Sequence, residues 1–112
     1  MRAHSSIRRM LMKKYWVYIL RCENDSLYTG YTDDLLKRYQ AHKNGTGSKY
    51  TRSFKPKLIA QCWEVYGEKG LALKLEHQIK KMSREEKERA ILFPATLSST
   101  AYIKPGVVPT DI

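Results

Sequence analysis

At 112 residues the chain is long enough for one modest core and too short for two domains, and its 42% hydrophobic content argues against disorder. Twenty-one Lys and Arg against 11 Asp and Glu leave a net charge of +10, so a polyanion is the first partner to consider. Nucleic acid fits; a membrane does not, because no apolar run is long enough to span one and no basic helix carries a wide apolar face. Cys22 and Cys62 stand alone, which argues against a zinc cluster or a disulfide framework and suits reduced thiols in a cytoplasmic protein.

In chain order, residues 1–14 form a basic, polar arm, too broken for a secretory signal. Its arginines resemble a transit peptide in composition alone, and the blander reading is an over-extended start ahead of Met12. The domain proper is expected over 15–93, with a tail over 94–112. Residues 16–20 are aromatic and β-branched, 23–26 are turn formers and 27–31 resume the apolar character, which predicts a β-hairpin. Alternation places Trp16, Tyr18 and Leu20 on one face, Val17 and Ile19 on the other. Tyr18 and Tyr28 are then expected to meet across the strand pair.

Thr32, Asp33 or Asp34 can cap a following helix, which Asn44-Gly45 ends. Leu35, Leu36 and Tyr39 form its expected core stripe, with Arg38 and His42 on the flank that borders the cleft between helix and sheet. Residues 43–56 read as a loop whose Lys49, Tyr50, Arg52 and Lys55 mix positive charge with an aromatic, a surface suited to tracking a nucleic-acid backbone. A third strand is expected over 58–66. Over 68–82 the residues Leu71, Ala72, Leu75, Ile79 and Met82 recur at helical spacing, with Glu76 at the edge of the stripe. Ser83 and Glu86 form a capping box that opens a last helix, running to about Leu92 before Pro94.

Each polar residue has a plainer reading by itself. Tyr18 and Tyr28 can be half-buried strand aromatics, Arg38 a charge lying over the core, His42 a structural histidine, Gly30 a bulge and Glu76 the ion-pair partner of Lys80. Jointly, several polar groups converging on one cleft in so basic a chain are costly to arrange for packing alone, and they point to a site.

Taken together, strand with Tyr18, strand with Tyr28 and Gly30, helix with Arg38 and His42, strand, and helix with Glu76, the chain resembles the GIY-YIG endonuclease family. The likeness is closest to its short stand-alone bacterial members, with the N-terminal nuclease part of the bacterial excinuclease as a further likeness, and it runs from about Tyr15 to Ile91. Trp16-Val17-Tyr18 stands where Gly-Ile-Tyr would be, and Tyr28-Thr29-Gly30 where Tyr-Ile-Gly would be. The resemblance implies a small α/β fold, a three-stranded mainly antiparallel sheet flanked by helices. It implies a metal-dependent DNA endonuclease that hydrolyses phosphodiester bonds in DNA repair or in processing branched or damaged DNA. Tyr18, Tyr28, Arg38, His42 and Glu76 would be catalytic, Glu76 holding Mg²⁺ or Mn²⁺, and Gly30, Tyr31, Lys49 and Arg52 would contact substrate. Which tyrosine serves as the base stays open, as does the need for a second protein. The asparagine that many members carry after the glutamate has no counterpart between His77 and Ile91. The alternative readings are therefore a catalytically weak or inactive nucleic-acid-binding module and a basic RNA-associated protein.

The chemistry sets its own demands. An ordinary tyrosine has a pKa of about 10, so it is a poor base at neutral pH unless nearby positive charge favours the phenolate. Arg38 and a bound cation are expected to supply that charge, while Arg38 also clamps the phosphate.

Overall fold

The computed structural model describes residues 12–110 and 112. Most of the basic arm, residues 1–11, lies outside the described residues. Strand β1 (Lys14–Cys22) and strand β2 (Leu27–Thr32) form the expected hairpin. Its turn closes through the Cys22 amide on the Ser26 carbonyl at 2.9 Å, with Asp25 in the left-handed region at φ 65°. Strand β3 (Pro56–Tyr66) pairs antiparallel with the other side of β1, so the most apolar strand becomes an interior one.

The sheet has four strands, in the order β2-β1-β3-β4, rather than the expected three. Strand β4 (Ile103–Pro105) comes from the stretch read as a tail and pairs with β3 through Val65 and Ile103, Glu64 and Lys104, Trp63 and Pro105. A strand of three residues ending in proline has no alternation to read, and proline is tolerated only because this strand lies at the edge. A 3₁₀ turn at Pro94–Leu97 leads toward it, and the Pro94 carbonyl accepts a 2.8 Å bond from the Trp63 indole.

Alternation along β1 divides the core between two layers. Val17 and Ile19, with Trp63 and Val65, pack against Ala72, Leu75 and Ile79 of helix α3 (Lys69–Lys80) and Ala90 of helix α4 (Arg84–Leu92). On the opposite face Tyr18, Leu20, Ile59 and Cys62 lie under Leu35 and Tyr39 of helix α1 (Leu35–Lys43). Burying each of these large apolar side chains contributes about 1.5–3 kcal/mol. Asp34 supplies the α1 cap, accepting from the Lys37 amide at 3.2 Å.

Two expectations for α1 need correction. Leu36 is 50% exposed and is not part of the stripe, because it sits about 100° round the helix from Leu35. His42 is fully buried rather than on a flank, since the inner face of this short helix runs through Leu35, Tyr39 and His42. The cover over His42 comes from a short helix α2 (Lys49–Ser53), inside the expected loop. Ser48 caps α2, its hydroxyl accepting from the Thr51 amide at 3.1 Å. Among the described residues no helix is long and apolar enough to cross a membrane.

Candidate active site

The register of the hairpin decides what the two tyrosines can do. Tyr18 lies opposite Gly30, and Tyr28 lies opposite Leu20, so the phenols are diagonal neighbours on one face. A Cβ at position 30 would strike the Tyr18 hydroxyl and lie 2.7 Å from its Cζ. Glycine therefore lets the Tyr18 ring lie down across β2. Gly30 itself is buried, and what it supplies is space for that ring rather than a surface for substrate.

Both phenol rings converge on His42. Tyr18 meets it edge to face with centroids 5.7 Å apart, and Tyr28 does so at 5.2 Å. The Tyr18 hydroxyl is 2.8 Å from His42 Nε2, and His42 Nδ1 is 2.7 Å from the hydroxyl of Thr51, itself fully buried. Thr51 Oγ1 in turn lies 2.8 Å from Ser48 Oγ. A continuous chain of exchangeable protons thus runs from Tyr18 to the partly exposed Ser48. The backbone presses on the imidazole from the loop side, where a Cβ at Gly47 would come 2.8 Å from the ring Cγ. Burial, helped by the Arg38 charge, lowers the His42 pKa to about 4, so the ring is neutral at pH 7.

Arg38 stands one turn before His42 and donates to the Gly47 carbonyl at 2.9 Å. It lines a cleft of about 380 Å³ whose rim also carries Lys13, Lys69 and Tyr31. The Lys69 ammonium lies 5.8 Å from the Tyr31 ring centre. Lys49 and Arg52 are exposed on α2.

Tyr18 behaves differently from expectation. Burial pushes its pKa up to about 12; the Arg38 guanidinium opposes this, while Tyr28 and Glu76 add to it. Arg38 favours the phenolate as expected, but the loss of water around the phenol outweighs it. The negative charge of Glu76 adds slightly to the rise at Tyr18. The Glu76 side chain is 13% exposed on α3 and lies 3.6 Å from the more exposed Lys80 ammonium, the ion pair of the plainer reading. Among the described residues no three His, Cys, Asp or Glu side chains gather as a metal cage. A lone, largely buried carboxylate fits a hard cation that keeps water and phosphate oxygens as its other ligands, as Mg²⁺ does, and does not fit a zinc-type site.

Thr51, Ser48 and Gly47 escape the sequence reading. Ser48 three residues before Thr51, just after a glycine, is a capping signal in principle, but a five-residue helix has no periodicity to confirm it.

The family model described as the GIY-YIG catalytic domain matches residues 14–89. A UPF0213 protein of Staphylococcus saprophyticus is 44% identical over 81 residues, covering 71% of this chain and 96% of its own. One from Clostridium perfringens is 47% identical over 77 residues, covering 68% and 81%. The solution NMR structure of a UPF0213 protein from Bacillus halodurans is 34% identical, covers 79% of this chain and 96% of its own, and superposes with a TM-score of 0.47. On the family match and the extent of these relatives, the chain belongs to the GIY-YIG catalytic domain family.

Proposed function

We propose that the chain is a metal-dependent DNA endonuclease that hydrolyses one phosphodiester per event, acting in the cytoplasm on branched or damaged DNA. The observation that carries this reading is the buried Tyr18–His42–Thr51 chain with Arg38 beside Tyr18, Arg38 also lining a cleft that carries Lys13 and Lys69. Arg38 binds the phosphate, with one nitrogen already fixed on Gly47. Tyr18 takes the proton of the attacking water while its own proton passes to His42 Nε2. The His42 Nδ1 proton moves to Thr51, and the Thr51 proton to Ser48, whose proton leaves to solvent. One proton enters and one departs, so His42 is never left charged in its dry pocket. Tyr28, edge to face with His42, is kept as a positioning group for the ring. Glu76 would hold Mg²⁺ or Mn²⁺, which when bound neutralises phosphate charge and steadies the leaving oxygen. Tyr31 and the cations of the cleft rim would hold flanking phosphates.

Supercoiled plasmid incubated with Mg²⁺ or Mn²⁺ tests this. Nicking that needs the cation and disappears in Tyr18→Phe and Glu76→Gln is expected. DNA binding with no nicking on plasmid, flap or junction substrates supports the second reading, a binding module without turnover, which the strongly held Tyr18 proton favours.

A further inference from the structure

The nuclease reading accounts for a phosphate at Arg38 and leaves unexplained what lies on the Tyr28 side of His42. There Tyr28, already against the His42 ring, stacks on Tyr50 with centroids 5.9 Å apart and planes 18° apart. Tyr50 continues to Phe54 at 5.2 Å. The three rings form a ladder leading outward from the candidate site along α2. Its inner end is half-buried and its outer end is open, with Tyr50 38% and Phe54 41% exposed. Neither ring joins either of the two core clusters, so folding alone does not explain their place. The ladder is nonetheless held in position. The Tyr50 hydroxyl donates to Ser26 Oγ at 2.5 Å, and Ser26 Oγ donates to Asn24 at 2.6 Å, which ties α2 to the hairpin turn. Exposed Lys49, Arg52 and Lys55 flank it.

Single exposed aromatics are ordinary on a protein surface. An ordered run of them among cations is the arrangement that receives unpaired bases, the rings meeting base faces and the cations meeting the phosphates between them. Duplex DNA has no free base face to offer. We propose that Tyr50 and Phe54 form a stacking platform for an unpaired DNA base next to the cleaved phosphodiester, so that the preferred substrate carries unpaired nucleotides at the cut. This rests on the nuclease reading for the position of the cut and deepens it by naming the substrate feature recognised. Base stacking on an aromatic ring contributes enough to change affinity about tenfold.

The test is binding without divalent cation, so that chemistry plays no part. Full-length protein is titrated into three labelled DNAs of one sequence: a perfect duplex, the duplex with a short internal unpaired stretch, and the single strand. The two with unpaired bases carry 2-aminopurine in the unpaired stretch to report stacking. The wild type is expected to bind both about tenfold more tightly than the duplex and to quench the 2-aminopurine. Phe54→Ala should abolish both the preference and the quenching with duplex binding unchanged, and Phe54→Trp should retain them. Phe54 lies outside the core clusters, so its variants should melt as the wild type does; Tyr50→Leu gives the same comparison from the second ring. Equal loss on all three DNAs, or no loss on any, overturns the platform. So does tighter binding of an RNA strand of the same sequence. If the platform fails while Tyr18-dependent plasmid nicking persists, the nuclease reading survives alone. If stacking holds and no DNA is nicked, the platform survives and the nuclease reading falls.

Discussion

Tyr18 holds its proton far more firmly than a free tyrosine does, and the residues behind it supply the way out. His42 is neutral and has both nitrogens engaged, Nε2 by the Tyr18 hydroxyl and Nδ1 by the Thr51 hydroxyl. Thr51→Val keeps the shape and removes the hydroxyl. It should cut the single-turnover cleavage rate at least tenfold with DNA affinity unchanged, and Thr51→Ser should restore it; equal rates in the valine and serine variants would remove Thr51 from the proton route. Leaving His42 Nδ1 unpaired should also cost about 1–3 kcal/mol of stability in the valine variant. Gly30→Ala places a methyl group against the Tyr18 hydroxyl, so the ring must swing away. We expect cleavage near the level of Tyr18→Phe and a stability loss of about 1–3 kcal/mol, read from cleavage assays and denaturant melts. The polar residues that bear the proposed chemistry are legible in the sequence because their spacing matches a family pattern. Thr51 is not, because its importance exists only through a contact with a histidine on another element.

At the scale of elements, what is encoded locally is legible. The Ser83–Glu86 capping box forms with both of its bonds, and Asp34 takes the α1 cap from among three candidates. What depends on tertiary pairing is not, namely β4 and the five-residue α2. Helix α4 gives a mixed case. Its charged middle reads as solvated, yet Glu88 reaches across to Arg21 on β1 with a two-pronged bond at 2.7 and 3.0 Å. That bond holds the Glu88 carboxyl below its usual range and fastens α4 to the sheet. Because both groups are partly in water, Glu88→Gln should cost only about 0.5–1 kcal/mol. A lowered melting temperature with nicking intact is expected; lost nicking would show that α4 does more than brace the sheet.

The whole molecule is a sheet covered on both faces, with the candidate site built where β1 and β2 meet α1 and α3. That architecture follows from alternation along β1 and from helical spacing in the two long helical segments. The fourth strand does not, because nothing in residues 94–112 has a period. Burying titratable groups at the site also gives the fold a pH signature. His42 has its folded pKa lowered to about 4 from 6.5, so its contribution is complete above pH 6.5 and is lost as pH falls toward 4. Tyr18 is raised from 10 to about 12, so its contribution is complete below pH 10 and is lost as pH rises toward 12. Stability should be greatest between these windows. The acid limb is worth on the order of 2–3 kcal/mol, and in His42→Gln the slope between pH 6.5 and 4 should flatten in thermal melts. An unchanged slope would mean that His42 is not held neutral by burial.

The most direct test of the central claim is the cleavage rate of Tyr18→Phe on a DNA that it binds as tightly as the wild type does, with Mg²⁺ present. Removing that one hydroxyl should lower the rate at least a thousandfold, about 4 kcal/mol of barrier, while affinity stays within twofold. Cleavage by the phenylalanine variant at a rate close to that of the wild type would contradict the account.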